Sequence, residues 1–221
     1  MSKAILVVLL LMSQAFATTI HRHNEQPLNY DFQSKIFGDE VETGHLTVKV
    51  EKVYFPDGCQ KKKLEQAFKL MERVLNSEEF KQKVIGYVAK FSDKREYTGS
   101  NGLSNEQVYE HLMTGQEISM MDTEGEVNLY VTKYHRFWSR VIAWTNPRTD
   151  NFIHVNWRFY KRFSVDEMVS NLVHEWVHLM GYFHVSQNDS DSVPYGVGRI
   201  AGEVAKNLME QDEQNLLAAN N

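Results

Sequence analysis

Cysteine, proline and basic charge are all scarce in this chain of 221 residues. The single cysteine, Cys59, has no partner within the chain, so no internal disulfide can staple the fold and a disulfide-built miniprotein is excluded. With four prolines, no stretch is rich enough in Pro, Gly or Ser to act as a linker between separate domains. Acidic residues outnumber basic ones, 29 to 24, and the densest basic cluster is Lys61-Lys62-Lys63. A nucleic-acid binder carries a basic surplus, so no nucleic-acid partner is expected. Long apolar runs are missing as well. Ala4 to Met12 is nine residues, whereas a bilayer-spanning helix needs about 20, so no membrane span is expected.

What is present is a chain 42% hydrophobic and 12% aromatic, enough to bury a core and too much for a disordered protein. At this length one domain is the leading expectation, and a monomer is expected. The N-terminus has the order of an export signal: a positive start at Lys3, the apolar run, polar Ser13-Gln14, then the small-x-small Ala15-Phe16-Ala17. Residues 1–17 are therefore expected to be a signal peptide cleaved near Ala17-Thr18, and the mature protein to be secreted or periplasmic. Residues 18–44 are polar and weakly patterned, and are expected to form an arm or a short pro-segment. Residues 45–221 would be the folded, catalytic domain.

Periodicity places the elements. Leu46, Val48 and Val50 alternate with polar residues as in a strand, and Phe55-Pro56-Asp57-Gly58 breaks it. Leu64, Ala67, Phe68, Met71, Val74 and Leu75 have helical spacing over about 61–75, with a new cap at Asn76-Ser77 and a second helix to about residue 90. Ser104 with Gln107, and Ser164 with Glu167, are capping boxes that open further helices. Strands are expected at Val127–Val131, over about Phe137–Trp144, and at Phe152–Trp157. The helix opened by Ser164 should stop at Gly181, and Ile200, Val204 and Leu208 suggest a C-terminal helix with an unpatterned gap before Leu216.

The chemistry is concentrated in His174-Glu175-Trp176-Val177-His178-Leu179-Met180-Gly181-Tyr182-Phe183-His184. Residues four apart on a helix are neighbours on one face, so His174 and His178 can both offer a ring nitrogen to one ion. Glu175 is beside them and can reach the ion's open side without being a ligand, where it would take the proton of a water acidified by the metal. Glycine ends a helix in a left-handed conformation at little cost, so Gly181 lets the chain turn and return His184 as a third ligand. With 9 His and 12 Gly in 221 residues, these two further positions make a chance match roughly 450-fold rarer, which sets this pattern apart from a bare H-E-x-x-H. An amphipathic helix with two incidental histidines would explain Val173, Trp176, Val177 and Met180, but not Glu175, Gly181 and His184 together.

On these eleven residues the chain resembles the metzincin clan of zinc endopeptidases, whose H-E-x-x-H-x-x-G-x-x-H pattern it carries in full. The resemblance implies an α+β fold: a mixed, twisted β-sheet with a backing helix and an active-site helix, a horizontal cleft, and a small C-terminal lobe ending in a helix. It implies Zn²⁺ held by His174, His178 and His184, with Glu175 as general base and acid. One feature departs from the clan. No methionine lies between His184 and Met209, where a methionine-containing turn is expected; Ser192-Val193-Pro194-Tyr195-Gly196 looks like a shortened relative of the astacin-type turn. In that setting Tyr195 would donate a hydrogen bond to the developing oxyanion. Two other ligand sets stay open: Asp191, similar to an aspzincin ligand but one residue out of register with Tyr195, and Glu203, placed as in gluzincins.

Weaker signals point elsewhere. Cys59 could ligate zinc in a latent form, Phe37-Gly38-Asp39 is similar to an astacin inhibitory segment one residue short, and Asn188-Asp189-Ser190-Asp191 could touch Ca²⁺. His21, His23 and His154 show no ligand pattern. The aromatic strand region around Tyr130, Tyr134, Phe137, Trp138 and Trp144 is expected to be core, with an edge able to pair with an extended peptide. The expected function is that of an exported zinc-dependent endopeptidase acting on peptide or protein substrates. The alternatives are a secreted binding protein with a structural or vestigial zinc site, and a zinc hydrolase acting on a non-peptide amide or ester.

Overall fold

The computed structural model describes residues 45–54, 58–90, 96–118, 125–134, 138–147, 151–186 and 189–220. The expected signal peptide, the arm with His21, His23 and Phe37-Gly38-Asp39, residue Asn188 and the side chain of Cys59 lie outside the described residues.

The inward alternation Leu46, Val48, Val50 runs into β1 (Thr47–Tyr54) and then slips. Pairing with the next strand jumps between Val50 and Lys52, so Glu51 is an extra residue and the next buried side chain is Val53. The stripe anticipated from Leu64 to Leu75 is the buried face of α1 (Gly58–Leu75), each of its six members at most 5% exposed. This helix also covers the open side of β1. The Val48 amide donates to Glu72 Oε2 at 2.8 Å, and Asn76 bonds both the amide and the carbonyl of Leu46 at 2.7 and 2.8 Å. Those backbone groups lie on a sheet edge and would otherwise have no protein partner.

Ser77 caps α2 (Glu78–Ile85), its Oγ accepting from the Phe80 amide at 3.2 Å. The helix stops at Gly86, short of the expected residue 90. The reason is packing: Tyr87 turns in to stack on Tyr97, ring centroids 4.1 Å apart, while Val88 is left exposed. Ser104 and Gln107 form the anticipated capping box of α3 (Asn105–Thr114).

β2 (Glu126–Tyr134) and β4 (Phe152–Asn156) are parallel to β1, and β3 (Ala143–Trp144) is antiparallel, in the order β1-β2-β4-β3. The sheet is therefore mixed, with short β3 at one edge. The strand expected over Phe137–Trp144 is reduced to its last two residues, with 135–137 outside the described residues. Asn156 explains the loss. Its amide and side chain hold the carbonyls of Ile142 and Val141, while its Oδ1 caps the one-turn helix α4 (Trp157–Tyr160), so β4 ends where a longer ladder would have to continue. Trp157, expected as the last residue of the strand, opens this turn instead.

α5 (Val165–Leu179) lies against β3, β4 and α1 and packs most extensively on α6 (Val193–Ala219). The molecule is thus a mixed α+β fold. Ser192 to Gly196, expected as a turn, is instead the cap and first turn of α6, because Pro194 is tolerated in a first helical turn and fixes its backbone for it. A single 27-residue helix thus stands where the small C-terminal lobe was anticipated. From Met209 onward the helix is exposed, so the unpatterned gap before Leu216 marks where it leaves the core.

Candidate metal centre

The site begins with how α5 is held. Ser164 and Glu167 cap its start reciprocally, and Met168, Val169, Leu172, Val173, Trp176, Val177 and Met180 bury its inner face almost completely. His174 and His178 lie on the adjoining face. At the C-terminal end the Gly181 amide bonds the His178 carbonyl at 3.0 Å and the Tyr182 amide bonds the Val177 carbonyl at 3.2 Å, the pair of bonds that closes a helix around a left-handed residue. Gly181 has φ +93°, as that closure needs, and the chain turns back to carry His184 toward the first two rings.

The three imidazoles converge. One nitrogen from each of His174, His178 and His184 lies within 4.8 Å of the others, and the ring centroids are 4.7–5.1 Å apart. A second contact holds each ring. His178 Nδ1 donates to the Tyr182 carbonyl at 2.7 Å. His184 Nδ1 donates to Ser192 Oγ at 2.8 Å, and that hydroxyl donates onward to the Asp189 carbonyl at 2.9 Å. His174 bonds the Pro194 carbonyl. With Nδ1 committed, Nε2 of His178 and His184 carries the lone pair that faces the centre, the arrangement by which metal-binding histidines are oriented. No fourth His, Cys, Asp or Glu joins the group among the described residues. Three imidazoles with an open side suit a divalent transition ion, zinc among them.

Electrostatics agree with that donor set. Burial, and then the neighbouring imidazoles, push His174 down to about 3, and burial pushes His178 down to about 4. Burial lowers His184 too, opposed by Asp189. The rings are therefore neutral at physiological pH, as ligands must be. Glu175 is 3% exposed, and burial pushes its carboxyl up to about 8, against the opposing effect of a hydrogen bond from the Thr145 backbone. Three further polar atoms in this neighbourhood have no hydrogen-bond partner: Thr145 Oγ1, the Tyr160 hydroxyl, which is within electrostatic reach of Glu175, and Asn171 Oδ1, one turn before Glu175 on α5.

Tyr195, from the first turn of α6, lays its ring 4.6 Å from that of His174 and 4.4 Å from that of His184, and remains 42% exposed. A cleft of about 1210 Å³ opens beside it, lined by Arg140 to Ala143 on the β3 side, by Ser170, Asn171, His174 and Glu175 of α5, and by Tyr195 and Arg199 of α6.

The structure thus brings His174, His178 and His184 together, packs the Tyr195 ring on two of them, and sets Glu175 in the cleft shared by His174 and Tyr195. It does not support the two other ligand sets. Asp191 accepts from the Tyr87 hydroxyl at 2.6 Å and the Lys90 amide at 3.0 Å, and Glu203 pairs with Lys83 at 2.7 Å. Asp189 is bound to Thr98 Oγ1 at 2.6 Å, which engages one oxygen of the suggested Ca²⁺ loop. His154 stacks on Trp144 within the sheet. Sequence reasoning missed Ser192, Thr145, Tyr160 and the Tyr182 and Pro194 carbonyls. Ser192 alone had a signal, a serine standing one residue before a helix that opens Val-Pro. No family model, curated protein or solved structure matches the chain.

Proposed function

We propose that this protein is an exported, zinc-dependent endopeptidase of the metzincin type. The observation that carries this reading is the pairing of three neutral, pre-aimed imidazoles with a buried carboxyl, Glu175, next to them. When bound, the metal supplies a Lewis acid that polarises a carbonyl and acidifies a water.

The rest belongs to the chain. Glu175 takes the proton from the attacking water and returns it to the leaving amine; a carboxyl moved close to neutrality serves both directions of that transfer. The Thr145 amide fixes the carboxyl from the β3 side. Tyr195, whose ring packs on two of the three imidazoles, would donate its hydroxyl to the developing oxyanion. Short β3 and the segment before it form one wall of the cleft, where an extended peptide can add as a strand.

The test is metal content and turnover on the same preparations. Wild type should hold one zinc per chain and cleave members of a peptide library, His184→Ala should lose the metal, and Glu175→Gln should keep it while hydrolysis falls at least 100-fold. An undiminished rate in Glu175→Gln would remove the role assigned to that carboxyl. Tightly held zinc with no peptide turnover would point to a binding protein, and faster turnover of small esters than of peptides to a non-peptide hydrolase.

A further inference from the structure

We infer that Arg199 is the anchor for a carboxylate on the substrate, one or two residues from the scissile bond. This rests on the peptidase reading for the meaning of that bond, and on the cleft itself for the rest.

Arg199 is four residues after Tyr195 on α6, so the two share a helix face, separated by about 6 Å along the axis. An extended peptide advances about 3.3 Å per residue, which sets the distance to the reacting carbonyl at one to two residues. The guanidinium is held in place rather than loose. One terminal nitrogen donates to the Tyr87 hydroxyl at 3.0 Å, the group lies over the Tyr87 ring at 5.7 Å, and the hydroxyl donates in turn to buried Asp191. Tyr87 is itself stacked on Tyr97. An arginine fixed on one side keeps its other donors for a planar, two-oxygen acceptor, the geometry a carboxylate offers. Arg140, beside β3, and Lys206, farther along α6, add positive charge to the same cleft.

The acids of the cleft do not cancel this charge. Gly198 meets His174 and Ser170, whereas Gly202 meets Ser170 and Asp166, so α6 runs antiparallel to α5 and Arg199 is level with the reacting end. Asp166 and Glu167 lie toward the other end, whereas Glu203 is one turn beyond Arg199 on the same helix and is answered by its own cation. Glu203 is paired with Lys83, Glu167 accepts from the Ser164 amide and hydroxyl, and Asp166 sits in the first turn of α5, where free amides offset its charge.

The experiment uses zinc-loaded full-length protein and blocked peptides that differ only in Glu, Gln or Lys within two residues of the cleaved bond, each as free acid and as C-terminal amide. Wild type should prefer a carboxylate roughly tenfold to a hundredfold in kcat/KM, the difference residing in KM, as for a hydrogen-bonded charge. A Glu preference that persists in amides assigns the carboxylate to a side chain; a preference for the free acid alone assigns it to the chain terminus. Arg199→Glu, checked for zinc content and circular dichroism, should invert the order in favour of Lys. Equal rates for Glu, Gln and Lys, and for acid and amide, in wild type would overturn the inference while leaving the peptidase reading intact. If wild type cleaves nothing, equilibrium binding of the same peptides to zinc-loaded Glu175→Gln decides. Tighter binding of the carboxylate peptides, lost on adding Arg199→Glu, keeps the anchor and discards the hydrolysis; equal binding discards the anchor.

Discussion

Ser192 shows how much of a metal centre lies outside its ligands. Its hydroxyl accepts from His184 Nδ1 and donates to the Asp189 carbonyl, so it sets which nitrogen of His184 faces the other two imidazoles. Ser192→Ala should weaken metal binding about 10- to 100-fold with the fold retained, measured by chelator competition. The five residues of the motif were legible because helical spacing and a terminating glycine dictate their convergence whatever surrounds them. The partners of those residues were not. Thr145 approaches Glu175 only because β3 packs on α5, and Tyr160 only because Asn156 starts an unforeseen helical turn. Contacts of that kind depend on tertiary packing, which local spacing does not record.

At the level of elements, the strongest constraint is the approach of α6 to α5. A Cβ at Gly198 would lie 2.9 Å from His174 Cβ and 2.8 Å from the Ser170 carbonyl, and one at Gly202 2.8 Å from Ser170 Cβ. Gly198→Ala gains helix propensity yet must push the helices apart. It should lower stability by about 1–3 kcal/mol and also weaken metal binding, since the displaced neighbour is one of the three clustered imidazoles; thermal melts with and without added metal would separate the two effects. Helices were the readable part of this fold, because α1 and α5 carry continuous apolar stripes and α3 and α5 open on capping boxes. The short elements were not, since β3 has two residues and α4 four, too few for any period. Nor was the start of α6, where Pro194 and Gly196 have the composition of a turn but Gly196 is needed small, a Cβ there lying 2.5 Å from the Tyr97 ring.

Across the whole molecule, stability without metal should depend on pH with two opposed slopes. His174 and His178 remain neutral in the folded chain down to about 3 and 4, far under their ordinary 6.5. Below pH 6.5 the unfolded chain takes up protons that the folded one refuses, so their contribution is lost as pH falls toward 4. Glu175, raised from 4.5 to about 8, acts in the other sense: its contribution is full below 4.5 and is lost as pH rises through 8. Urea midpoints of metal-free wild type should therefore fall on both sides of an intermediate pH. Glu175→Gln should flatten the alkaline side alone.

The three imidazoles are steadied by three separate stretches of chain: the end of α5 at Tyr182, the loop at Ser192, and the first turn of α6 at Pro194. A metal bound by the three rings would therefore tie the end of α5, the loop and the start of α6 together, and its binding free energy would count toward holding that corner of the fold.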